Sequence, residues 1–549
     1  MPKIRFYLIF AVILLCGIAV TVRLFFLQIQ EGDLYRARAQ GQQESLREVH
    51  GDRGRIFFNG HEYLATNEWR NLLYFSPDEI LSDPELVDFM VDLIGQSPEE
   101  LSGTGTVRWI IDDQQANAVR QLNHPLLNRI EEKMFRFYPQ NEMAAHVVGF
   151  LGGYQIGQYG LEEYYEMYLQ GESGLTRRFN FLNLDQPYLD FEPDCGSDLY
   201  LTLDYNIQFQ AEQLLRQAKE DWGITGGTII VSEPKTGRIL ALANYPSYNP
   251  NSYGQEEMVR FLNPATQSLF EPGSIFKVVT MAAGLNEEKV TPETTYYDSG
   301  SVSVGGPPIY NYRQRVWGEQ TMMEVLNKSI NTGSVFVQQE LGRDLFLEYV
   351  ERFGFTRPTG IDLAGEEFST NQTLRRGYAR DLATASFGQG IATTPIQLVT
   401  AINAIANDGV MMKPFLVDRR VDSQGQIHYT EPEELGTVVS PRAAAQTTLM
   451  MVDVVGEGYG SLAQIKNYLV AGKTGTAQVP KVGGGYLEET IHGFFGYAPA
   501  LDPAFSILIK LDAPSAINSS ESAAPIFKEL GQYILSYYQI PPDIRDISE

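Results

Sequence analysis

Residues 270–285 read FEPGSIFKVVTMAAGL. Pro272 and Gly273 end an extended approach, Ser274 opens a segment with the apolar periodicity of a helix, and Lys277 follows three residues later. On a helix that spacing puts both side chains on one face, so the amine can reach the hydroxyl. A serine hydroxyl holds almost no alkoxide at neutral pH, and a lysine can take its proton only if burial or a neighbouring cation lowers the ammonium pKa. The stretch therefore pairs a candidate nucleophile, Ser274, with a candidate base, Lys277. It does so at a helix start that favours developing negative charge and offers free backbone amides. The alternative is a serine that caps a helix, with the lysine solvated one turn later.

Working outward, VLNKSINTGSV at 325–335 places Ser329 and Asn331 in a polar, Gly-bearing break between two helical patterns. LVAGKTGTAQ at 469–478 carries Lys473, Thr474 and Gly475 in a strand whose small residues permit another backbone to come close, and Lys473 is the candidate cation beside Lys277. An earlier Lys235-Thr236-Gly237 lies between two strands, after Pro234, and reads as hairpin-turn chemistry. Ser-x-x-Lys, Ser-x-Asn and Lys-Thr-Gly thus occur in that order, about 55 and then about 140 residues apart, and the ordered set is far more specific than any one of its members.

A compact domain begins near Leu199. A helix pattern covers 205–222, and apolar strands follow at 226–233 and 238–245. Three more strands are expected at 467–478, 492–499 and 504–512, then a closing helix at 522–538. Five strands from opposite ends of one domain, with helices between them, predict an α+β fold: a five-stranded antiparallel sheet covered by helices. Residues 28–195 are less regular, with helical stretches at 83–96 and 112–123 among short β-like runs, and read as an elongated pedestal. The expected division is a tail at 1–5, a membrane helix at 6–27, the pedestal at 28–195, the catalytic domain at 196–540 and a tail at 541–549.

The chain has 68 acidic against 42 basic residues and a net charge of −26, a surface that repels polyphosphate and excludes nucleic acid as a natural partner. FYLIFAVILLCGIAVTV at 6–22 carries no charge, and LFFL at 24–27 extends it past Arg23 to a length of about 22 residues, enough to span a bilayer. Lys3 and Arg5 place the amino terminus in the cytoplasm and the bulk of the chain outside the plasma membrane. A cleaved signal peptide would have a shorter apolar region. Cys16 lies in the apolar run and Cys195 stands alone beyond it, so no intramolecular disulfide is expected outside the membrane. The six histidines, at 50, 61, 124, 146, 428 and 492, show no paired ligand spacing, and neither a metal nor a cofactor is expected.

At the three motifs the sequence resembles the penicillin-binding proteins, specifically the monofunctional class B peptidoglycan D,D-transpeptidases. Blocks at 226–251, 386–398 (SFGQGIATTPIQL), 492–503, 53–56 (RGRI) and 157–174 extend the likeness over nearly the whole chain, while FFNG at 57–60 departs from the Asp-Arg-Asn-Gly-like turn usual there. The resemblance implies that Ser274, deprotonated by Lys277, attacks the carbonyl between two D-alanines of a stem peptide. The terminal D-alanine leaves, and an amine of a neighbouring stem peptide takes the acyl group. It further implies an oxyanion hole from the backbone amides of Ser274 and Thr476, a proton relay through Ser329 and a grip on the substrate amide by Asn331. Lys473, Thr474 and Thr476 would hold the substrate carboxylate, with Gly475 in the strand along which the peptide pairs. β-Lactams are the implied inhibitors and a polytopic membrane glycosyltransferase the implied partner, contacted through anchor and pedestal. The FEPGSIFK context leans to the division-type branch, with division versus elongation left open. A serine β-lactamase or β-lactam sensor would need a water-activating base, and Glu324, in Glu-Val-Leu-Asn ahead of Ser329, reads instead as helix surface. A catalytically silent assembly scaffold is the third reading. KVGGGY at 481–486 is expected to be a hairpin after the substrate strand, with gating as the alternative.

Overall fold

Runs of aliphatic and β-branched residues without polar interruption make strands that are buried on both faces. Gly226–Ser232 (β1) and Ile239–Tyr245 (β2) come early in the domain. Ala471–Pro480 (β3), Tyr486–Ala498 (β4) and Phe505–Asp512 (β5) come late. The five form one antiparallel sheet, as the sequence predicted, and its order is β2-β1-β5-β4-β3. The connection from β1 to β2 is the turn at Lys235, and Gly237 N donates to Glu233 O there at 2.9 Å. The first Lys-Thr-Gly is therefore a hairpin. β3 pairs only with β4, so it is the sheet edge, and half of its backbone groups point away from the sheet.

Seven helices position the site: Tyr205–Trp222 (α1), Lys277–Asn286 (α2), Met322–Asn327 (α3), Asn331–Arg352 (α4), Pro395–Ala406 (α5), Pro441–Gly456 (α6) and Ser519–Tyr537 (α7). Leu214 and Leu215 of α1 and Phe527, Leu530 and Ile534 of α7 share one core with Ile229, Val231, Ile507 and Ile509 of the sheet. On the opposite face α5, buried along its whole length, lies against β1 and β5, and its Asn403 donates to Ser232 at 2.8 Å. α6 packs on β3, and α2 packs on α5 and α6. The catalytic half is thus three layers, with α2 sealed in the middle of one of them.

The pedestal residues join a second sheet. Ile56–Phe57, Tyr63–Phe75, Val107–Ile111 and Ile130–Phe137 share it with Asp198–Leu201, Val417–Val421 and Ile427–Tyr429. Asp198–Leu201 runs parallel to Ile56–Phe57 and antiparallel to Val417–Val421, so this sheet crosses the position expected as a domain boundary. The departure at 57–60 is filled by packing: Phe57 stacks on Tyr200 with centroids 4.6 Å apart and Phe58 is fully buried. Arg55 forks onto Asp198 beside them, at 3.1 and 2.6 Å. The helices read at 83–96 and 112–123 are Pro84–Ile94, capped by Asp83, and Asp113–Leu122, whose Asp112 and Gln115 form a capping box.

The computed structural model describes residues 14–15, 17–18, 20–25, 44–127, 129–153, 155–171, 173–179, 188–191, 194–481 and 485–543. The chain divides into two compact units. One, Met1–Gly54 with Met167–Ser197, contains an antiparallel sheet of Glu44–His50, Ser173–Phe179 and Tyr188–Phe191. The other, Arg55–Glu166 with Asp198–Glu549, contains the two sheets and seven helices above. Among the described residues no helix is long and apolar enough to cross a membrane. The span expected at 6–27 lies largely outside the described residues, as do 482–484 of the Gly-rich stretch and 544–549 of the carboxyl tail.

Two glycines let the catalytic segments meet. A Cβ on Gly475 of β3 would lie 2.8 Å from Ile275 Cγ1 and 3.0 Å from Pro272 O, so only glycine lets the edge strand approach the Ser274 turn this closely. Gly388, in the SFGQG block, has φ +83°, and a Cβ there would sit 2.1 Å from Gly273 O. Gly388→Ala is expected to cost about 2 kcal/mol or more, from left-handed strain plus a backbone clash. Gly456→Ala, at the open end of α6 with nothing within 4 Å, should leave stability unchanged. Melting curves of the two variants test this, and equal shifts contradict the packing claim.

Candidate active site

Ser274 does not begin an α-helix. Gly273–Phe276 is a 3₁₀ turn that runs directly into α2 at Lys277. In a 3₁₀ turn residues three apart eclipse one another, so Ser274 and Lys277 remain stacked on one side by a tighter route than the α spacing predicted. Ser274 is half-buried and lines the cleft, and among the described residues its hydroxyl has no hydrogen-bond partner.

The lysine below it is enclosed. Lys277 is 1% exposed and its Nζ lies 2.6 Å from Ser329 O, 3.2 Å from Ser329 Oγ and 2.8 Å from Asn331 Oδ1. Lys473, fully buried in β3, places its Nζ 3.1 Å from the same Ser329 Oγ and 3.0 Å from Thr474 O. Two amines thus share one hydroxyl. No carboxylate pairs with either among the described residues, so burial falls on the charged forms undiluted. Burial pushes the Lys473 ammonium down to about 7. Burial, and then the nearby charge of Lys473, hold Lys277 well below the ordinary lysine range.

This arrangement favours a mixed pair. With Lys473 as the cation, it donates to Ser329 Oγ, whose own proton can point to the lone pair of a neutral Lys277. Ser329 is held for this in a strained conformation, φ +52°, in the turn between α3 and α4. A left-handed non-glycine residue costs of order 1–3 kcal/mol and persists where its surroundings fix it. The twist turns both its carbonyl and its hydroxyl toward Lys277. Asn331, first residue of α4, donates from Nδ2 to Tyr310 O at 3.0 Å, so its amide locks Lys277 to the wall of the cleft.

Alternation along β3 sorts the remaining residues. Lys473, Gly475 and Ala477 face the Ser274 turn, and Thr474 and Thr476 line the cleft. Thr476 Oγ1 lies 3.1 Å from Ser519 Oγ at the amino-terminal end of α7. Of the residues singled out from the sequence, Ser274, Ser329, Asn331, Thr474 and Thr476 surround one cleft of about 530 Å³, with Lys277 and Lys473 beneath it. Glu324 is absent from it. Its carboxylate caps α3 through Thr321 and pairs with Lys328 at 2.9 Å. His492 is buried against Ser522 and Thr490, and burial pushes its pKa down to about 4.

Sequence reading missed one wall. Tyr310, Arg315, Trp317 and Tyr459 line the cleft, as do Asn518 and Ser519. Reading α7 from Ser522 left out its cap, although Asn518 followed three residues later by Glu521 is a helix-start pattern. The wall carried no local signal, because Tyr310, Arg315 and Trp317 belong to short pairings and turns between α2 and α3, and Tyr459 to the turn after α6.

A serine at the mouth of a cleft, backed by two buried amines and flanked by the open edge of a helix-covered antiparallel sheet, defines a serine acyltransferase site. Residues 227–532 match the penicillin binding protein transpeptidase domain and residues 48–180 the penicillin-binding protein dimerisation domain. The chain belongs to the class B penicillin-binding proteins. It is 30% identical over 531 residues to stage V sporulation protein D of Bacillus subtilis, covering 93% of this chain and 82% of that one. It is 28% identical over 560 residues to the probable peptidoglycan D,D-transpeptidase PbpC of Pseudomonas aeruginosa, covering 98% and 96%. A crystal structure of penicillin binding protein 3 from Mycobacterium tuberculosis complexed with ampicillin superposes with a TM-score of 0.73 at 26% identity, over 92% of this chain and 98% of that one.

The two lysines set the expected pH dependence of acylation. The rate should rise as Lys277 loses its proton and fall as Lys473, pushed down to about 7 by burial, loses the positive charge that would attract an anionic substrate. In Lys473→Met the alkaline limb should vanish. The acid limb should move to higher pH, because removing a nearby cation stabilises the Lys277 ammonium. Second-order rates of penicillin acylation against pH measure both limbs, and an acid limb that moves down contradicts the assignment.

Proposed function

We propose that this chain is a peptidoglycan D,D-transpeptidase that cross-links stem peptides through an acyl-enzyme on Ser274 in cell-wall synthesis. The observation that carries the reading is Ser329 Oγ, held between the amines of Lys277 and Lys473 beside an unpartnered Ser274 hydroxyl. Lys277 takes the Ser274 proton as Oγ adds to the carbonyl of the penultimate D-alanine, and the backbone amides of Ser274 and Thr476 receive the oxyanion. Ser329 passes a proton to the leaving D-alanine nitrogen as the peptide bond breaks and is reprotonated by Lys277, which returns to the neutral amine. An acceptor amine then attacks the ester, Lys277 takes up its proton, and Ser274 regains its own. Lys473, Thr474 and Thr476 hold the terminal carboxylate, and Asn331 positions Lys277.

β-Lactams are inhibitors of the same serine, a reading supported by the ampicillin complex of the mycobacterial relative. Hydrolysis is disfavoured, since among the described residues no aspartate or glutamate lines the cleft to activate water. The apolar run at 6–27 anchors the chain in the plasma membrane with the catalytic domain outside. Residues 28–195 act as pedestal and 196–540 as transpeptidase domain, and anchor and pedestal meet a polytopic glycosyltransferase.

Incubating the full chain with a fluorescent penicillin should give a stable label that Ser274→Ala abolishes. Rapid release of the label favours a β-lactamase and no label favours a scaffold. Ser329→Ala should slow D-alanine release from a stem peptide by about 10²-fold or more, the usual worth of a positioned proton donor. An unimpaired rate in that variant removes Ser329 from the relay.

A further inference from the structure

A second cavity, of about 500 Å³, adjoins the cleft, and three chain segments line both. Gly273, Gln389 and Gln478 line the cleft, and their close neighbours Glu271, Gly390 and Pro480 line the second cavity. The partition is thus made of the start of the Ser274 turn, the SFGQG block and the end of β3. Its position is fixed: Phe270 and Thr393 exchange two backbone bonds, at 2.9 and 3.0 Å, and Gly273 N donates to Gly388 O at 3.1 Å. Thr370, Gln372 and Thr373, also in the lining, are exposed, so the cavity opens to solvent.

Among the described residues Glu271 is the one charged group that lines this cavity. It is 8% exposed, and its two oxygens accept from Gly390 N at 2.9 Å and Tyr486 OH at 3.2 Å. A carboxylate has about four lone-pair sites, so two neutral donors leave half of its capacity open. No cation pairs with it among the described residues. Lys481, next after Pro480, is exposed and forms no ion pair with it, and Lys510, 5.4 Å from the Phe270 ring, is matched to Asp512 at 2.5 Å. A buried carboxylate without a cation is costly, and burial pushes Glu271 above the ordinary carboxylate range. A cation arriving from solvent would answer both the charge and the open lone pairs.

We infer that Glu271 and its cavity take the primary ammonium of the second stem peptide, the acceptor, and hold it beside the Ser274 turn. The inference rests on the transpeptidase reading above, which needs an amine delivered to the Ser274 ester and so far gives it no site. An ammonium forms charge-assisted hydrogen bonds with a carboxylate. The cleft itself offers none: among the described residues no carboxylate lines it, and Arg315, Lys328 and Arg380 do. That lining attracts an anionic donor and repels an ammonium, whereas the neighbouring cavity has the opposite sign. Donor and acceptor therefore enter through differently charged openings on either side of one partition. The amine must leave Glu271 to attack, so the signature of the contact lies in acceptor binding.

The test uses the full chain, a donor peptide ending in D-alanyl-D-alanine and an acceptor stem peptide with a free side-chain amine. Two unreactive copies of the acceptor compete with it. In one the amine is dimethylated, which keeps the positive charge and one N–H; in the other it is acetylated, which removes the charge. In the wild type the dimethylated copy should inhibit cross-linking about tenfold more tightly than the acetylated one. Glu271→Gln should bring that ratio towards one and raise the KM for the acceptor. Tyr486→Phe, which removes a hydrogen bond and keeps the carboxylate, should preserve the ratio. Benzylpenicillin labelling of Ser274 checks that each variant folds. A wild type that labels and cross-links but is inhibited equally by both copies overturns the inference and leaves the transpeptidase reading standing, whereas one that neither labels nor releases D-alanine overturns the parent reading. A ratio that survives in Glu271→Gln, or that Tyr486→Phe abolishes as fully, assigns Glu271 a structural part and also overturns the inference.

Discussion

Ser329 Oγ lies 3.2 Å from one buried amine and 3.1 Å from another. Two ammonium groups cannot share that oxygen without leaving one charge uncompensated in a medium that screens poorly. One lysine must give up its proton, and the deeper constraint falls on Lys277, which feels both burial and its neighbour. A free amine on Lys277 is the base that the proposed mechanism requires for the Ser274 hydroxyl. The cation that remains, Lys473, lies buried beneath the cleft, on the same hydroxyl. Catalytic charge in this molecule is set by crowding two like groups around one polar atom.

The rest of the fold serves that crowding. Lys277 begins a helix sealed by α5 and α6, Lys473 comes from the sheet edge, and Ser329 comes from a strained turn between α3 and α4. Segments that far apart in sequence converge only because glycine at 475 lets β3 touch the Ser274 turn and glycine at 388 underlies the same turn from the other side. Stability is given up at each point: two buried lysines and a left-handed serine all work against folding. The large apolar core shared by α1, α7 and the sheet offsets them.

Much of this was legible in the residues. The five strands, α1 and the three motifs announce themselves through uninterrupted apolar runs, an amphipathic period and small-residue punctuation, all local signals. What the sequence left open depends on tertiary closure. Ser274 lies in a 3₁₀ turn packed between Gly388 and β3, and Asn331 grips Lys277 while bonded to the wall at Tyr310, contacts that no local pattern announces. The wall itself, pinned by Asp298 through residues up to 34 positions away, has no periodic signature. The continuity of the pedestal sheet through Asp198–Leu201 was hidden for the same reason, since a four-residue strand is read only once its partners are known.

The most direct measurement is a lysine titration on the enzyme, using protein labelled at lysine Cε or Nζ and resonances assigned by their loss in Lys277→Met and Lys473→Met. Both resonances should titrate far below the ordinary lysine range, with Lys277 a free amine while Lys473 is still charged. If Lys277 keeps its proton to the pH at which exposed lysines lose theirs, the neutral base does not exist and the mechanism built on it is wrong.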